Sequence, residues 1–199
     1  YYNRVPIFND ARTFADHPKL GSSQNEREVQ ASERDIRRAT AAYYGMVEAI
    51  DAHYGSVIEM LQHVGEDLDD WIIVYCSDDG EMLGQHGIWE KTQFFEASAR
   101  VRLLIRYPRR FAPRVVTENV NLCDLFATLC ELAGIDPPTD EETVQGRGLD
   151  SRSLVPLMEG RSDDWHRQYQ DETVSQMGGK HLMIKRGSLK YLWFEDIEQ

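Results

Sequence analysis

Two adjacent carboxylates, Asp78 and Asp79, followed by Gly80, close an apolar run from Ile72 to Cys76. Paired aspartates supply oxygen ligands, and a hard divalent cation prefers oxygen. Farther along stands Lys91, preceded by His86 and the sequence Gly87-Ile88-Trp89-Glu90. A compact ammonium is suited to a tetrahedral oxyanion or a leaving oxygen. An imidazole can donate to the same oxyanion or protonate a leaving group. Cation, ammonium and imidazole together would make a site for anion chemistry beside a metal. Against that stands the plainer reading of a solvated acidic turn with an exposed Lys and His.

The apolar run must position these groups. Residues 71–76 read as a buried parallel strand whose C-terminal end opens into a loop, the place where open α/β sheets bind ligands. Before it, apolar residues recur every three or four positions, from Ile36 through Tyr43, Val47, Ile50, Tyr54 and Ile58 to Leu61. That spacing predicts a long helix, started by Ser32 with Asp35 as a capping box and stopped at Gly65. After the loop a short helix is expected over 93–99 and a second buried strand over 101–107. Asn121 and Asp124 open a further helix that ends at Gly134 before Pro137 and Pro138. Residues 153–158 suit one short helix. Two runs, 181–185 and 189–194, flank Arg186-Gly187-Ser188 and predict a hairpin. Residues 1–31 show no clean period and suggest an extended segment, and 139–148 suggest an acidic loop. The sum is an α/β class: a mainly parallel sheet flanked by helices, passing into a small C-terminal antiparallel sheet.

The chain has 199 residues and a net charge of −12. Such a balance argues against nucleic acid or an anionic membrane surface as partner. No run of 18 apolar residues occurs, so no helical membrane span is expected. The three cysteines, Cys76, Cys123 and Cys130, have no metal-like spacing and are expected as buried free thiols, which fit a reducing, cytoplasmic compartment. The first residue is not Met and no signal peptide is visible, so localisation is left unknown and a fragment or processed chain is expected. Glu96 and Arg100 have the spacing of a helical ion pair. The basic stretch Arg102, Arg106, Arg109, Arg110 and Arg114 is read as intramolecular pairing or a solvated face, not a binding patch. No Gly-x-Ser-x-Gly elbow, P-loop, Rossmann fingerprint or His-Glu-x-x-His is present.

Three segments in order carry a resemblance: Tyr43–Asp51, Ser77–Lys91 and Phe94–Val101. Together with Asp124–Leu129, Ala133-Gly134-Ile135, Gly148–Leu154 and the Lys190-Tyr191 hairpin, they resemble the C-terminal half of type I sulfatases, in the alkaline phosphatase superfamily. The resemblance runs from about residue 41 onward. It implies an incomplete alkaline-phosphatase-like fold, with 1–160 as the C-terminal half of the core domain and 161–199 as the start of a small antiparallel subdomain. It also implies sulfuric ester hydrolysis at a divalent metal, usually calcium, with manganese as an option. By this resemblance Asp78 and Asp79 are metal ligands, Lys91 contacts the sulfate group of a small sulfate-ester substrate, and His86 lies near that substrate.

Two departures qualify those implications. The family's nucleophile is a formylglycine made from Cys or Ser in Cys/Ser-x-Pro-x-Arg, and that motif does not occur here. The nucleophile and two further metal-binding aspartates are therefore expected on a missing N-terminal half or a partner chain, and the polypeptide alone is expected to be inactive. Asp79 also stands where the family usually carries His or Asn. At an effective dielectric near 20, a carboxylate about 4 Å from a sulfate charge costs roughly 4 kcal/mol. The alternatives are a phosphonate monoester or phosphodiester hydrolase of the same superfamily, and a non-catalytic metal-binding fragment.

Overall fold

The structure, a computed structural model, describes residues 32–138 and 150–195. They belong to two compact units that divide between Arg106 and Tyr107. The boundary expected near residue 160 falls inside the second unit. The readings for 1–31 and 139–148 lie outside the described residues.

The first unit begins with helix α1, Glu33–His63. Its start follows the capping-box logic: the Ser32 hydroxyl accepts from the Asp35 amide (3.2 Å) and donates to the Asp35 carboxylate (2.6 Å). At its end Gly65 takes φ +90°, and the Glu66 amide reaches back to the Leu61 carbonyl (3.0 Å). This is the left-handed stop that the sequence signalled. An acidic turn follows, with a 3-10 segment at Leu68–Asp70 capped by the Asp67 carboxylate. It leads to strand β1, Ile73–Cys76.

Strand β1 pairs with β2, Leu103–Arg106, after the four-residue helix α2, Glu96–Ala99. The register sets Ile73 opposite Arg106 and Cys76 opposite Leu103, so the pair is antiparallel. The expected parallel arrangement of these two strands is thereby corrected. A run of β-branched residues reports that a strand is apolar, but it carries no information about the direction of its neighbour. The pair is also less covered than expected, with Tyr75, Cys76 and Leu104 exposed. Helix α1 meets β1 through Tyr54, whose hydroxyl donates to the Val74 carbonyl (3.3 Å) and whose ring stands edge-on to Tyr75. Arg106 closes the strand pair against the acidic turn, donating to the Leu68 carbonyl and the Asp69 carboxylate, each at 2.6 Å. Along α1 only Ile36 and Thr40 are buried, whereas Met46, Val47, Ile50, Val57 and Met60 are exposed. The apolar spacing thus fixed the helix but not a cover for its stripe.

The second unit contains α3, Asp124–Ala133, α4, Val155–Met158, and α5, Ser162–Tyr169. A three-stranded antiparallel sheet follows, in the order β3 (Glu172–Met177), β4 (His181–Arg186), β5 (Leu189–Phe194). The β4–β5 turn is two residues long, and Gly187 at its first position takes φ +53°, as a type II′ hairpin demands. Leu154, Val155, Leu157, Trp165 and Met183 are its buried apolar residues of lowest exposure. Among them sits one charged group, Asp124. It accepts from Arg152 Nη2 (2.8 Å), Nε (3.1 Å) and backbone N (2.9 Å), and from the Asn121 amide (2.8 Å). Arg152 also donates to the Glu172 carbonyl and lies over the rings of Trp165 and Tyr169. In this way α3, the 151–154 segment, α5 and the sheet are tied to one ion pair.

Internal pairing of the expected kind joins Arg106 to Asp69, Arg110 to Glu159 and Glu131, and Arg114 to the Leu157 carbonyl. The cysteine expectation is corrected. Cys76 and Cys123 are exposed and Cys130 is half-buried, all three as free thiols. Cys76 ends a strand whose last two residues are both open to solvent, and Cys123 precedes the first residue of α3.

Candidate functional site

The site loop leaves β1 through Ser77, whose amide donates to the Arg102 carbonyl (3.2 Å) and so extends the strand pairing by one residue. The Ser77 hydroxyl then donates to the Asp79 carbonyl (2.6 Å), and the Asp78 carboxylate accepts from the Asp79 amide (3.0 Å). These short-range bonds turn the chain directly after the strand. At Gly80 the backbone runs hard against α2: its amide donates to the Ser98 carbonyl (2.8 Å), and a Cβ there would lie 1.9 Å from the Ala97 carbonyl oxygen. Only glycine fits such an approach.

The far end of the loop returns Lys91 to the acidic end. Lys91 Nζ lies 3.0 Å from Asp79 Oδ2, with side-chain exposures of 54% and 36%. A pair this open adds little to stability. Its significance is its place at the tip of β1, where a cationic donor stands beside a carboxylate pair. The hydrogen bond to Asp79, followed by that carboxylate's charge, raises the Lys91 ammonium above its ordinary value near 10.5, with Asp78 and Glu81 adding to the field. Tyr43 on α1 senses the same field. Burial pushes its hydroxyl up first, and the carboxylates of Glu81 and Asp79 push it further.

Between the two ends, the backbone is strained. Leu83, His86, Glu90 and Thr92 all have positive φ, from +48° to +71°, though none is glycine. Such residues cost free energy and tend to gather where surrounding contacts impose a particular shape. At Leu83 and Glu90 the imposing group is Glu81. Its Oε1 accepts from the Glu90 amide (2.7 Å) and the Leu83 amide (3.3 Å), while the Met82 amide donates to the Glu90 carbonyl (2.9 Å). Met82 is fully buried beneath the loop. His86 sits in a short 3-10 turn with its ring stacked on Phe95, centroids 4.3 Å apart.

Of the four residues singled out in the sequence, Asp79 and Lys91 are brought into direct contact. Asp78 is adjacent and exposed, with one oxygen committed to the Asp79 amide. His86 is anchored on Phe95. Sequence reasoning missed Glu81, Ser98 and Tyr43 as parts of the site. Glu81 and Ser98 act on backbone amides, partners that no side-chain pattern announces, and Tyr43 looked like one more member of an apolar stripe. The donor chemistry of Asp78 and Asp79 fits a hard cation. Among the described residues, however, no group of three or more His, Cys, Asp or Glu side chains converges on one point. Two carboxylates are a partial shell for an ion that takes six to eight oxygens.

Known proteins resemble this chain over most of its length. The family model described as Sulfatase matches residues 9–135, and one described as N-sulphoglucosamine sulphohydrolase, C-terminal, matches 84–197. A choline-sulfatase of Rhizobium meliloti is 35% identical over 164 residues, covering 81% of this chain and 30% of that protein. An arylsulfatase of Clostridium perfringens is 30% identical over 193 residues, covering 95% of this chain and 38% of that protein. Among solved structures, the phosphonate monoester hydrolase of Agrobacterium radiobacter superposes with a TM-score of 0.71 at 28% identity, over 82% of this chain and 34% of that one. The chain thus spans about a third of the length of the relatives it matches.

Proposed function

Because this chain belongs to the sulfatase family, we propose that it supplies the sulfate-gripping cation and part of the metal-binding carboxylate set of a sulfuric ester hydrolase. The observation that carries this reading is the 3.0 Å contact between Lys91 and Asp79 at the tip of β1. Lys91 Nζ has three donors. With one directed to Asp79, the others are available to the nonbridging oxygens of a sulfuryl group. Charge fixed in place before the reaction stabilises what develops at those oxygens in the transition state. Asp79 orients the ammonium. The same contact offsets the repulsion that a carboxylate at this position would otherwise exert on a sulfate anion.

Asp78 and Asp79 would hold a divalent cation, calcium or manganese, together with oxygen ligands from outside this pair, and that ion would neutralise further negative charge on the ester. His86, fixed against Phe95, is the candidate proton donor to the leaving oxygen. The nucleophile is proposed to come from outside these 199 residues, since none of them forms Cys/Ser-x-Pro-x-Arg.

The test is Lys91→Ala in the full-length protein, assayed on an aryl sulfate and in parallel on an aryl phosphonate monoester and an aryl phosphodiester. A loss of about 10²-fold or more in kcat/KM on the sulfate is expected. A loss under about tenfold removes Lys91 from the catalytic set. The likeness to a phosphonate monoester hydrolase gives the second reading its footing. A wild-type preference for the phosphorus esters would favour it over sulfatase action.

A further inference from the structure

We infer that Glu81 is a positioning residue that fixes the distance between the acidic end of the loop and Lys91. The inference rests on the reading of Asp79 and Lys91 as the working pair. The argument starts from the backbone. Glu90, immediately before Lys91, holds φ +71°, and Leu83 holds φ +48°. Both conformations are disfavoured for residues with a Cβ, and each needs outside contacts to persist. The amides of these two residues point at one atom, Glu81 Oε1, at 2.7 and 3.3 Å.

Glu81 lies two residues after Asp79, and Glu90 lies one before Lys91. One carboxylate oxygen therefore bridges nine residues of loop at the point where its two ends carry the paired charges. A second strap runs parallel: the Met82 amide donates to the Glu90 carbonyl (2.9 Å). Ser98 completes the frame from α2, its carbonyl accepting from Gly80 and its hydroxyl accepting from the Gln93 amide (3.2 Å). If Glu81 stopped accepting, Glu90 would relax toward negative φ and carry the Lys91 ammonium with it. A misplacement of about 1 Å at a reacting group can cost up to 10²-fold in rate.

Two roles for Glu81 make different predictions. As a brace it needs only an acceptor oxygen, which a glutamine retains. As a metal ligand or a source of negative charge it needs the carboxylate. The experiment compares Glu81→Ala and Glu81→Gln in the full-length protein, with two readouts: kcat/KM on an aryl sulfate, and amide hydrogen exchange resolved at Leu83 and Glu90. The brace predicts that Glu81→Ala speeds exchange at Glu90 by about tenfold and lowers kcat/KM by about ten- to a hundredfold. It predicts that Glu81→Gln restores both to within about threefold of wild type.

Equal damage from Gln and Ala overturns the inference in favour of charge. Unchanged Glu90 exchange in the Ala variant overturns it as well. Should Glu81→Ala fail to fold, Glu81→Gln decides: wild-type protection at Glu90 supports the brace, and lost protection overturns it. Lys91→Ala separates this inference from the functional reading. If Lys91→Ala leaves turnover intact, the functional reading falls. If Lys91→Ala abolishes turnover while Glu81→Ala changes nothing, only the brace falls.

Discussion

Two ion pairs divide the labour in this chain. Asp124–Arg152 in the second unit is enclosed, with side-chain exposures of 1% for the aspartate and 16% for the arginine. Its carboxylate accepts four hydrogen bonds, from Arg152 and Asn121, and its guanidinium lies over two aromatic rings. Asp79–Lys91 in the first unit is open, single-bonded and set in a strained loop. A buried pair with its lone pairs satisfied organises a core, because removing either partner strands a charge. An exposed pair organises nothing by its own energy. What it offers is a donor with hydrogen-bonding capacity left over, in a place solvent and ligand can reach.

The comparison can be broken at several points. The largest stability effect belongs to the enclosed pair: Asp124→Ala should destabilise the second unit by about 3–5 kcal/mol, read by denaturant unfolding. A loss below about 1 kcal/mol would put this pair in the same class as the open one. Lys91→Ala should do the reverse, moving Tm by about a degree or less in the same protein whose kcat/KM falls about a hundredfold. Next comes Gly80→Ala, which drives a Cβ into the Ala97 carbonyl. It should cost about 1–3 kcal/mol and loosen the Asp79 end of the loop, seen as faster exchange at the Gly80 amide.

The smallest effect is at the start of α1. The bond from Ser32 holds the Asp35 carboxyl below its ordinary 3.8. A lowered value means the cap's contribution is present above 3.8 and is lost as pH falls through the folded value. Amide exchange at the first turn of α1 should therefore rise selectively on acidification below that point, and Ser32→Ala should abolish the dependence.

Much of this arrangement was legible in the sequence, for reasons that can be located. The capping box at Ser32, the stop at Gly65 and the Gly187 turn depend on residue types with few conformational options, and all three appear as expected. The nearness of Asp79 and Lys91 was legible, because a strand end, a carboxylate pair and a following ammonium point to one place on the chain. The antiparallel sense of β1 and β2 was hidden, since hydropathy does not encode direction. The open faces of α1 and the exposed cysteines were hidden because periodicity describes a stripe without naming its cover. The frame made by Glu81 and Ser98 was hidden most completely. It joins a carboxylate and a hydroxyl to backbone amides, around positive-φ residues that carry no glycine to mark them.

The proposed grip of Lys91 on sulfate is tested most directly by a crystal structure of the full-length protein with sulfate or a slow sulfate ester bound. The account predicts Lys91 Nζ at about 3 Å from a nonbridging oxygen while it remains in reach of Asp79. An anion bound elsewhere, with the Lys91 ammonium still turned only toward Asp79 or out to solvent, would contradict it.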